Sequence, residues 1–231
     1  QCNGLPTYDV YRRLSRNILL FLDSRVTESM LADAETLAKR HAELLSGGPL
    51  RLAFSGRLNR MKGADDLIRV AKNLDSLGVD FTLDIFGEGT LSEFMAAEIK
   101  RERVTHRVRL RGVVDFTTEL MPFIQNNIDL LVCCHRQGDP SCTYLETFAC
   151  GVPIVGYANE ALSGLLRNRP FGWTTPLNRP ARLAQRIAAL NQRREQLRTA
   201  GEAALEFASR HTFETEFAAR IDQIQALVKN D

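Results

Sequence analysis

Short apolar runs alternate with helical patterns through the middle of this 231-residue chain. Most of these runs are rich in β-branched or aromatic residues and end near a glycine or another small residue, which is typical of strands. The runs are almost continuously apolar, as expected where both faces of a sheet are covered. Apolar residues also recur at helical spacing from position 67 to position 77. The predicted strands are 50–56, 79–87, 107–112, 128–134 and 152–157.

The alternation of strands and helices favours an α/β fold, with a Rossmann-like parallel sheet and helices on both of its faces. After Pro180 only helical patterns remain, and the amphipathic stretches 180–192 and 213–228 predict a helical C-terminal appendix. Thr90 and Glu93 have the spacing of a capping box and are predicted to open a helix. The first 48 residues are less regular, with a strand-like run, a turn and a helical stretch at 18–22, 23–25 and 30–45.

Composition narrows the classes of function. Lys and Arg number 30 against 28 Asp and Glu, so the net charge of +2 creates no surface field that would attract nucleic acid. The 5 cysteines are odd in number and include no Cys-x-x-Cys pair, which argues against a disulfide framework or a zinc site and favours a cytoplasmic protein. No stretch approaches the roughly 20 apolar residues of a membrane span. The start at Gln1 rather than Met predicts a piece of a longer protein.

The loops after the strands are the places to search for chemistry, because open α/β sheets bind ligands at the carboxyl ends of their strands. The first such loop, "SGRLNRMKG", places Arg57, Arg60 and Lys62 before a helix whose first acids are Asp65 and Asp66. Cations at a helix N-terminus oppose the helix dipole, whereas a bound anion reverses the sign of that interaction. The loop is therefore either a phosphate-binding loop or a solvated basic turn.

Two further loops carry glycines. "FGEGT" contributes Gly87 and Gly89, but Ser92 stands where a dinucleotide fingerprint needs its third glycine. These glycines serve either a tight turn or the close approach of a ligand. "LRGVVD" at 110–115 ends a predicted strand at Gly112 and offers little side-chain chemistry.

The stretch "DPSCTYLETFACGVPIVG" places an acid directly before a buried strand. A short helix is predicted to begin near Cys142 or Thr143, with Glu146 in its first turn. One interpretation is a capping box formed by Thr143 and Glu146. The other is a ligand site, in which small residues leave the helix amides open to a diphosphate and the carboxylate accepts from two ribose hydroxyls. The candidate binding residues here are Asp139, Pro140, Ser141, Cys142, Thr143 and Glu146.

In order and spacing, these loops resemble the nucleotide-sugar-binding half of retaining GT-B glycosyltransferases of the group 1 type, over roughly Leu50 to the C-terminus. The motifs are "GRLNRMKG", "DIFGEGT", "RLRGVVD" and "DPSCTYLETFACGVPIVG". The resemblance implies that Arg57 and Lys62 hold the donor diphosphate and stabilise the leaving group, and that Glu146 binds the ribose. The further donor-binding residues that it implies are Gly56, Gly87, Gly89, Gly112, Val113 and Val114.

One departure from the family pattern concerns the transferred sugar. The family commonly has two glutamates separated by seven residues; if Glu146 is the second, Gly138 stands where the first should be, with Asp139 beside it. Either Asp139 replaces the missing acid or sugar recognition differs. No two Asp residues have the Asp-x-Asp spacing of metal-dependent sugar transferases, so the expectation is no metal and no cofactor.

The resemblance also implies a second, N-terminal domain that carries the acceptor site. Residues 1–48 are then the interdomain connection and its flanks, and 49–231 form the donor-binding domain. The chain alone is expected to bind a nucleotide-sugar but to catalyse little, and peripheral membrane association of the full enzyme stays open. The alternatives are a non-catalytic nucleotide-binding or interaction module and an NAD(P)-dependent oxidoreductase. Among the histidines, His135 ends a predicted strand near the acidic loop, where a packing or surface role is favoured over a place in the cleft.

Overall fold

A parallel sheet forms the centre of the chain, which the computed structural model describes for residues 1–15 and 17–229. Six strands hydrogen-bond in the order β5-β4-β3-β6-β7-β8, and a separate parallel pair, β1 and β2, lies in the first segment. The strands are β1 Cys2–Asn3, β2 Leu20–Phe21, β3 Leu50–Ser55, β4 Phe81–Phe86, β5 Val108–Gly112, β6 Leu130–Cys133, β7 Ile154–Tyr157 and β8 Gly172–Thr175.

Helices follow nearly every strand. They are α1 Gly4–Tyr11, α2 Ala34–Leu45, α3 Ala64–Ser76, α4 Ser92–Arg101, α5 Met121–Asn127, α6 Cys142–Ala149, α7 Glu160–Leu165, α8 Pro180–Asn191, α9 Arg194–Ser209 and α10 Phe213–Val228. In the described part of the chain, none of them is long and apolar enough to cross a membrane.

The strand order places a switch point at the centre of the sheet. The chain runs outward from β3 through β4 to β5, and then returns to pair β6 beside β3, with Leu52 opposite Leu130. Numbered within the sheet, this is the 3-2-1-4-5-6 order of doubly wound folds, whose ligands bind where the direction reverses. The loops after β3 and β6 therefore face each other at the expected binding edge.

Apolar side chains of the sheet pack into two separate hydrophobic cores, one on each face. On β3, Leu50, Leu52 and Phe54 pack with α3, α4 and α8, whereas Ala53 faces the layer of α5, α6, α7 and α9. Successive side chains of a strand point to opposite faces, so one apolar run supplies both layers. The predicted Rossmann-like α/β fold is confirmed, with helices on both faces and only helices after Pro180.

One local prediction is wrong, and one strand was missed. Thr90 does not cap a helix: α4 begins at Ser92, whose hydroxyl bonds the amide and the carbonyl of Gly89. A tertiary contact explains the difference: the amide of Leu91 donates a hydrogen bond to the carbonyl of Leu58, which fixes the backbone before the helix. The strand β8 was not predicted at all, since "GWTT" is short, only partly apolar and lies at the edge of the sheet.

The first segment is more structured than its sequence suggests. Besides the predicted strand-like run, it forms α1, and α2 begins only at Ala34, where Asp33 caps it by accepting from the amide of Thr36 at 2.8 Å. The final helix α10 returns to this segment. Its Glu216 accepts from the amide of Leu22 at 2.8 Å.

Candidate functional site

The loops after β3 and β6 meet at the switch point. Lys62 Nζ lies 3.4 Å from Ser141 Oγ and so joins the basic loop to the start of α6. The close approach depends on Gly63, which has a φ of 65° and whose added Cβ would collide with the carbonyl of Cys134. Glycine accepts this left-handed conformation without strain. The structure therefore brings together two sets of residues that are far apart in sequence.

Two cations of the basic loop, Arg57 and Lys62, are the predicted ligands of the diphosphate. Arg57 is exposed and Lys62 is half-buried, and neither forms an ion pair with any residue that the structure describes. Burial lowers the pKa of Lys62, and the positive charge of Arg57 lowers it further. Such a pair of charges favours binding of an anion between them.

The backbone amides at the start of α3 are less available to bind an anion than the sequence suggested. The amide of Lys62 donates to Asn59 Oδ1 at 2.9 Å, and that of Ala64 donates to the carbonyl of Asn59 at 3.2 Å. These donors are already used within the loop. The positive character of this side of the site therefore comes mainly from side chains.

Arg136 holds the basic loop in place, and sequence reasoning missed it. Its guanidinium bonds Asp65 at 2.6 Å and Asp66 at 2.7 Å, and it also donates to the carbonyl of Arg60 at 2.5 Å. Asp66 is buried and accepts a further hydrogen bond from the Tyr157 hydroxyl at 2.8 Å. The two acids at the start of α3 thus serve the loop's architecture rather than a ligand.

The start of α6 is open on its capping side. The helix begins at Cys142, as predicted, and its N-cap Ser141 makes no side-chain capping bond. At the other end, the buried Arg40 donates to the carbonyls of Cys150 at 2.7 Å and Gly151 at 2.6 Å. That anchor fixes the direction of the helix, whose N-terminus points its dipole at the switch point.

Glu146 is not in the first turn of α6, so that prediction is wrong, and its side chain makes no capping bond, so the capping-box interpretation also fails. Its side chain is buried, and its Oε1 accepts from Arg25 Nε at 2.6 Å. Thr143 lies inside the helix, where its carbonyl accepts from the Thr147 hydroxyl at 2.6 Å. Burial raises the pKa of Glu146, while the hydrogen bond from Arg25 and the charge of Lys62 oppose that rise.

Besides Glu146, Arg25 also contacts the loop after β5. Its guanidinium lies over the ring of Phe116, 3.7 Å from the centroid. Phe116 follows Gly112, Val113 and Val114, the predicted base-facing residues, of which Val113 is exposed and Val114 half-buried. A residue of the first segment therefore connects the predicted ribose and base positions. In the sequence it appeared only as the last residue of the predicted turn 23–25.

The glycines of "FGEGT" serve loop packing. An added Cβ at Gly87 would collide with the carbonyl of Gly56, and one at Gly89 would lie 2.5 Å from the carbonyl of Leu58. The amide of Leu58 also donates to the carbonyl of Glu88 at 3.0 Å. These contacts support the tight-turn alternative, in which the glycines let the loop after β4 support the basic loop.

With this geometry established, the chain can be compared with known proteins. The model of the glycosyl transferases group 1 family matches residues 36–207. The chain belongs to this family. It is 25% identical over 136 residues to the 2-deoxystreptamine glucosyltransferase of Streptomyces kanamyceticus, covering 59% of this chain and 34% of the relative. It is 32% identical over 108 residues to the glycogen synthase of Mycobacterium tuberculosis, covering 47% and 26%. In these alignments the chain spans about a quarter to a third of the relatives' length.

Solved structures show the same fold. The sucrose-phosphate synthase of Thermosynechococcus elongatus superposes with a TM-score of 0.78 at 16% identity, over 99% of this chain and 58% of that one. The Anabaena protein HepE in complex with UDP and glucose gives a TM-score of 0.76 at 15% identity, over 97% and 62%. The fold of this group 1 chain is therefore the Rossmann-like half of a GT-B glycosyltransferase.

Two acidic side chains lie near Gly138, where the resemblance leads us to expect a glutamate. Asp139 is exposed, and its negative charge acts on Lys62. Glu160, at the start of α7, is also exposed, and an added Cβ at Gly138 would lie 3.0 Å from its Oε2. Sequence reasoning missed Glu160 because it follows a different strand. The structure thus offers two carboxylates near the vacant position instead of one.

Burial makes two of the histidines of the group 1 chain poor candidates for a catalytic base. His135 is buried, burial lowers its pKa to about 3, and its Nδ1 lies 3.5 Å from the Tyr144 hydroxyl. Burial likewise lowers the pKa of His41 to about 4. The favoured packing role of His135 is confirmed. Within residues 1–15 and 17–229, no group of three His, Cys, Asp or Glu side chains is close enough to hold a metal ion.

Proposed function

We propose that this chain is the donor-binding half of a retaining glycosyltransferase, which transfers a sugar from a nucleotide-diphosphate sugar to an acceptor in glycan or glycolipid synthesis. The observation that carries the proposal is the meeting of Lys62 with the uncapped start of α6 at the switch point, 3.4 Å from Ser141 Oγ. Membership of the glycosyl transferases group 1 family supports it. The acceptor site is then supplied by an N-terminal domain.

The geometry suits the departure of a nucleoside diphosphate. Glycosyl transfer develops positive charge on the sugar while negative charge grows on the leaving group. Arg57 and Lys62 lie on one side of the proposed diphosphate position, and the N-terminus of α6 on the other. These groups are stronger partners for the departing diphosphate than for the intact donor, because its charge is greater.

Ribose and base are proposed to bind along the row formed by Glu146, Phe116 and the residues 112–114. A carboxylate accepts from two hydroxyl groups at once, which matches the vicinal diol of a ribose. The base then lies against the loop after β5. UDP is the first nucleotide to test, because the HepE structure that shares this fold was solved with UDP and glucose.

The test has two stages. The chain is first screened by thermal shift against UDP-, GDP- and ADP-sugars, and we expect stabilisation by one nucleotide class. The full enzyme with its N-terminal domain is then assayed for release of that nucleotide in the presence of acceptor, with this chain alone as the control of low activity. Binding without any transfer or hydrolysis by the full enzyme would favour a non-catalytic nucleotide-binding module.

A further inference from the structure

Arg25 contacts the centre of the candidate site from outside the matched family region. Its Nε donates to Glu146 Oε1 at 2.6 Å, and its guanidinium lies 3.7 Å from the ring centroid of Phe116. The Arg25 side chain remains 57% exposed, while that of Glu146 is only 6% exposed. An exposed arginine thus partners a buried carboxylate at the position proposed for the ribose.

The geometry leaves Glu146 able to bind a ligand. Arg25 engages one carboxylate oxygen through Nε, and no residue of the described chain donates a hydrogen bond to Oε2. An arginine that blocked the carboxylate would take both oxygens in a bidentate fork. Stacking on Phe116 fixes the guanidinium plane without using its remaining donors.

A buried carboxylate needs such a partner. Removing one member of a buried ion pair leaves an uncompensated charge, which then neutralises by taking up a proton. The charged groups that face Glu146 are Arg25 from the first segment and Lys62 from the basic loop. The thiols of Cys142 and Cys150 lie at the two ends of α6, and burial, together with the charge of Glu146, raises the pKa of each thiol above its ordinary value of 9.0. Around neutral pH, the thiols therefore add no charge.

We propose that Arg25 is a positioning residue for donor binding, which keeps Glu146 ionised and oriented so that the carboxylate accepts the ribose hydroxyls. This inference rests on the proposed function. It assigns a role in the donor site to a segment that the family motifs do not include.

The pH dependence follows from the charge of Glu146. The ionised carboxylate is the binding form, so affinity falls as pH falls through the pKa of Glu146. Arg25 lowers that pKa, and the variant Arg25→Met should therefore lose affinity at a higher pH than the parent chain. Because burial raises the folded pKa above 4.5, the folded form also loses stability as pH rises above that value. Arg25 reduces this loss, so Arg25→Met should be less stable at neutral pH and converge with the parent in acid.

The experiment compares Arg25→Met and Arg25→Lys with the parent chain by calorimetric titration of UDP, GDP and ADP between about pH 5 and pH 8. We expect Arg25→Met to bind on the order of tenfold more weakly at neutral pH and to show the shifted profile, while Arg25→Lys regains much of both. Arg186→Met is the matched control, since Arg186 is an exposed arginine over an aromatic ring, 5.8 Å from the centroid of Trp173, outside the site. The nucleotide's own titration is common to all four proteins. The pKa of Glu146, measured by NMR in the nucleotide-free chain, should be higher in Arg25→Met.

Each other outcome overturns the inference in a distinct way. Parent-like affinity and pH profile in Arg25→Met would make the ion pair purely structural and leave the proposed function standing. Tighter binding by Arg25→Met would make Arg25 a competitor of the nucleotide. An unchanged pKa of Glu146 would remove the stated cause. Failure of the parent chain to bind UDP, GDP or ADP in the same titration would overturn the proposed function together with the inference.

Discussion

Replacing Lys62 with methionine should separate binding from folding. Methionine keeps most of the aliphatic stem and removes the ammonium group. In the fold, Lys62 Nζ makes a long contact of 3.4 Å to Ser141 Oγ. Burial lowers the pKa of the ammonium group, so the charged side chain destabilises the folded state. Its removal should leave the melting temperature unchanged or slightly raised. Residues placed for function often carry such a cost.

The affinity should fall sharply in the same variant. A hydrogen bond to a charged group contributes about 1.5 to 3 kcal/mol. Since 1.4 kcal/mol corresponds to a tenfold change, the dissociation constant for UDP or GDP should rise about 10- to 150-fold. Calorimetric titration measures the affinity and differential scanning calorimetry the melting temperature. Lys72→Met, an exposed lysine on α3, is the matched control. Parent-like nucleotide affinity in Lys62→Met would refute the phosphate-binding role.

Three further predictions concern the rest of the site. Glu146→Gln keeps one acceptor for Arg25 but cannot accept from two ribose hydroxyls, so its melting temperature should stay near that of the parent while nucleotide titration shows weaker binding; equal affinity would contradict this. Asp139→Asn and Glu160→Gln should each weaken binding of the intact nucleotide-sugar more than binding of the bare nucleotide. The variant with the larger loss of affinity identifies the acid that replaces the missing glutamate. Parent-like affinities in both variants would show that other residues recognise the sugar. Since Arg57 and Lys62 supply the positive charge, EDTA should not change the dissociation constant, and loss of binding that Mn²⁺ restores would show that a metal is needed.

The central strands of the sheet were predictable because they are covered on both faces. Runs such as 128–134 and 152–157 are nearly all apolar, which leaves few other structures open to them. The edge strand Gly172–Thr175 was not predicted. It pairs with only one strand and is only partly buried, so its sequence shows a weaker apolar pattern. The helix Gly4–Tyr11 escaped because its sequence includes a proline and a glycine and has no clear apolar face.

The site was predictable only where its residues belong to strand-end loops. Alternation of strands places the loops after β3 and β6 at one edge of the sheet, so Lys62 and Ser141 could be assigned to one site. The residues that position them come from distant segments of the chain. Such long-range contacts produce no recognisable pattern in the local sequence. Arg25 reaches Glu146 across 121 positions, and the capping box that local spacing suggested does not form, because Ser141 rather than Thr143 is the N-cap of α6.

The central claim is that a nucleoside diphosphate binds at the switch point between the basic loop and α6. The measurement that tests it most directly is a crystal structure of the chain grown with the nucleotide that gives the largest thermal shift. The account predicts diphosphate oxygens within hydrogen-bonding distance of Lys62 Nζ and the first amides of α6, with the ribose hydroxyls on Glu146. A nucleotide bound elsewhere, with these three groups free of it, would contradict the account.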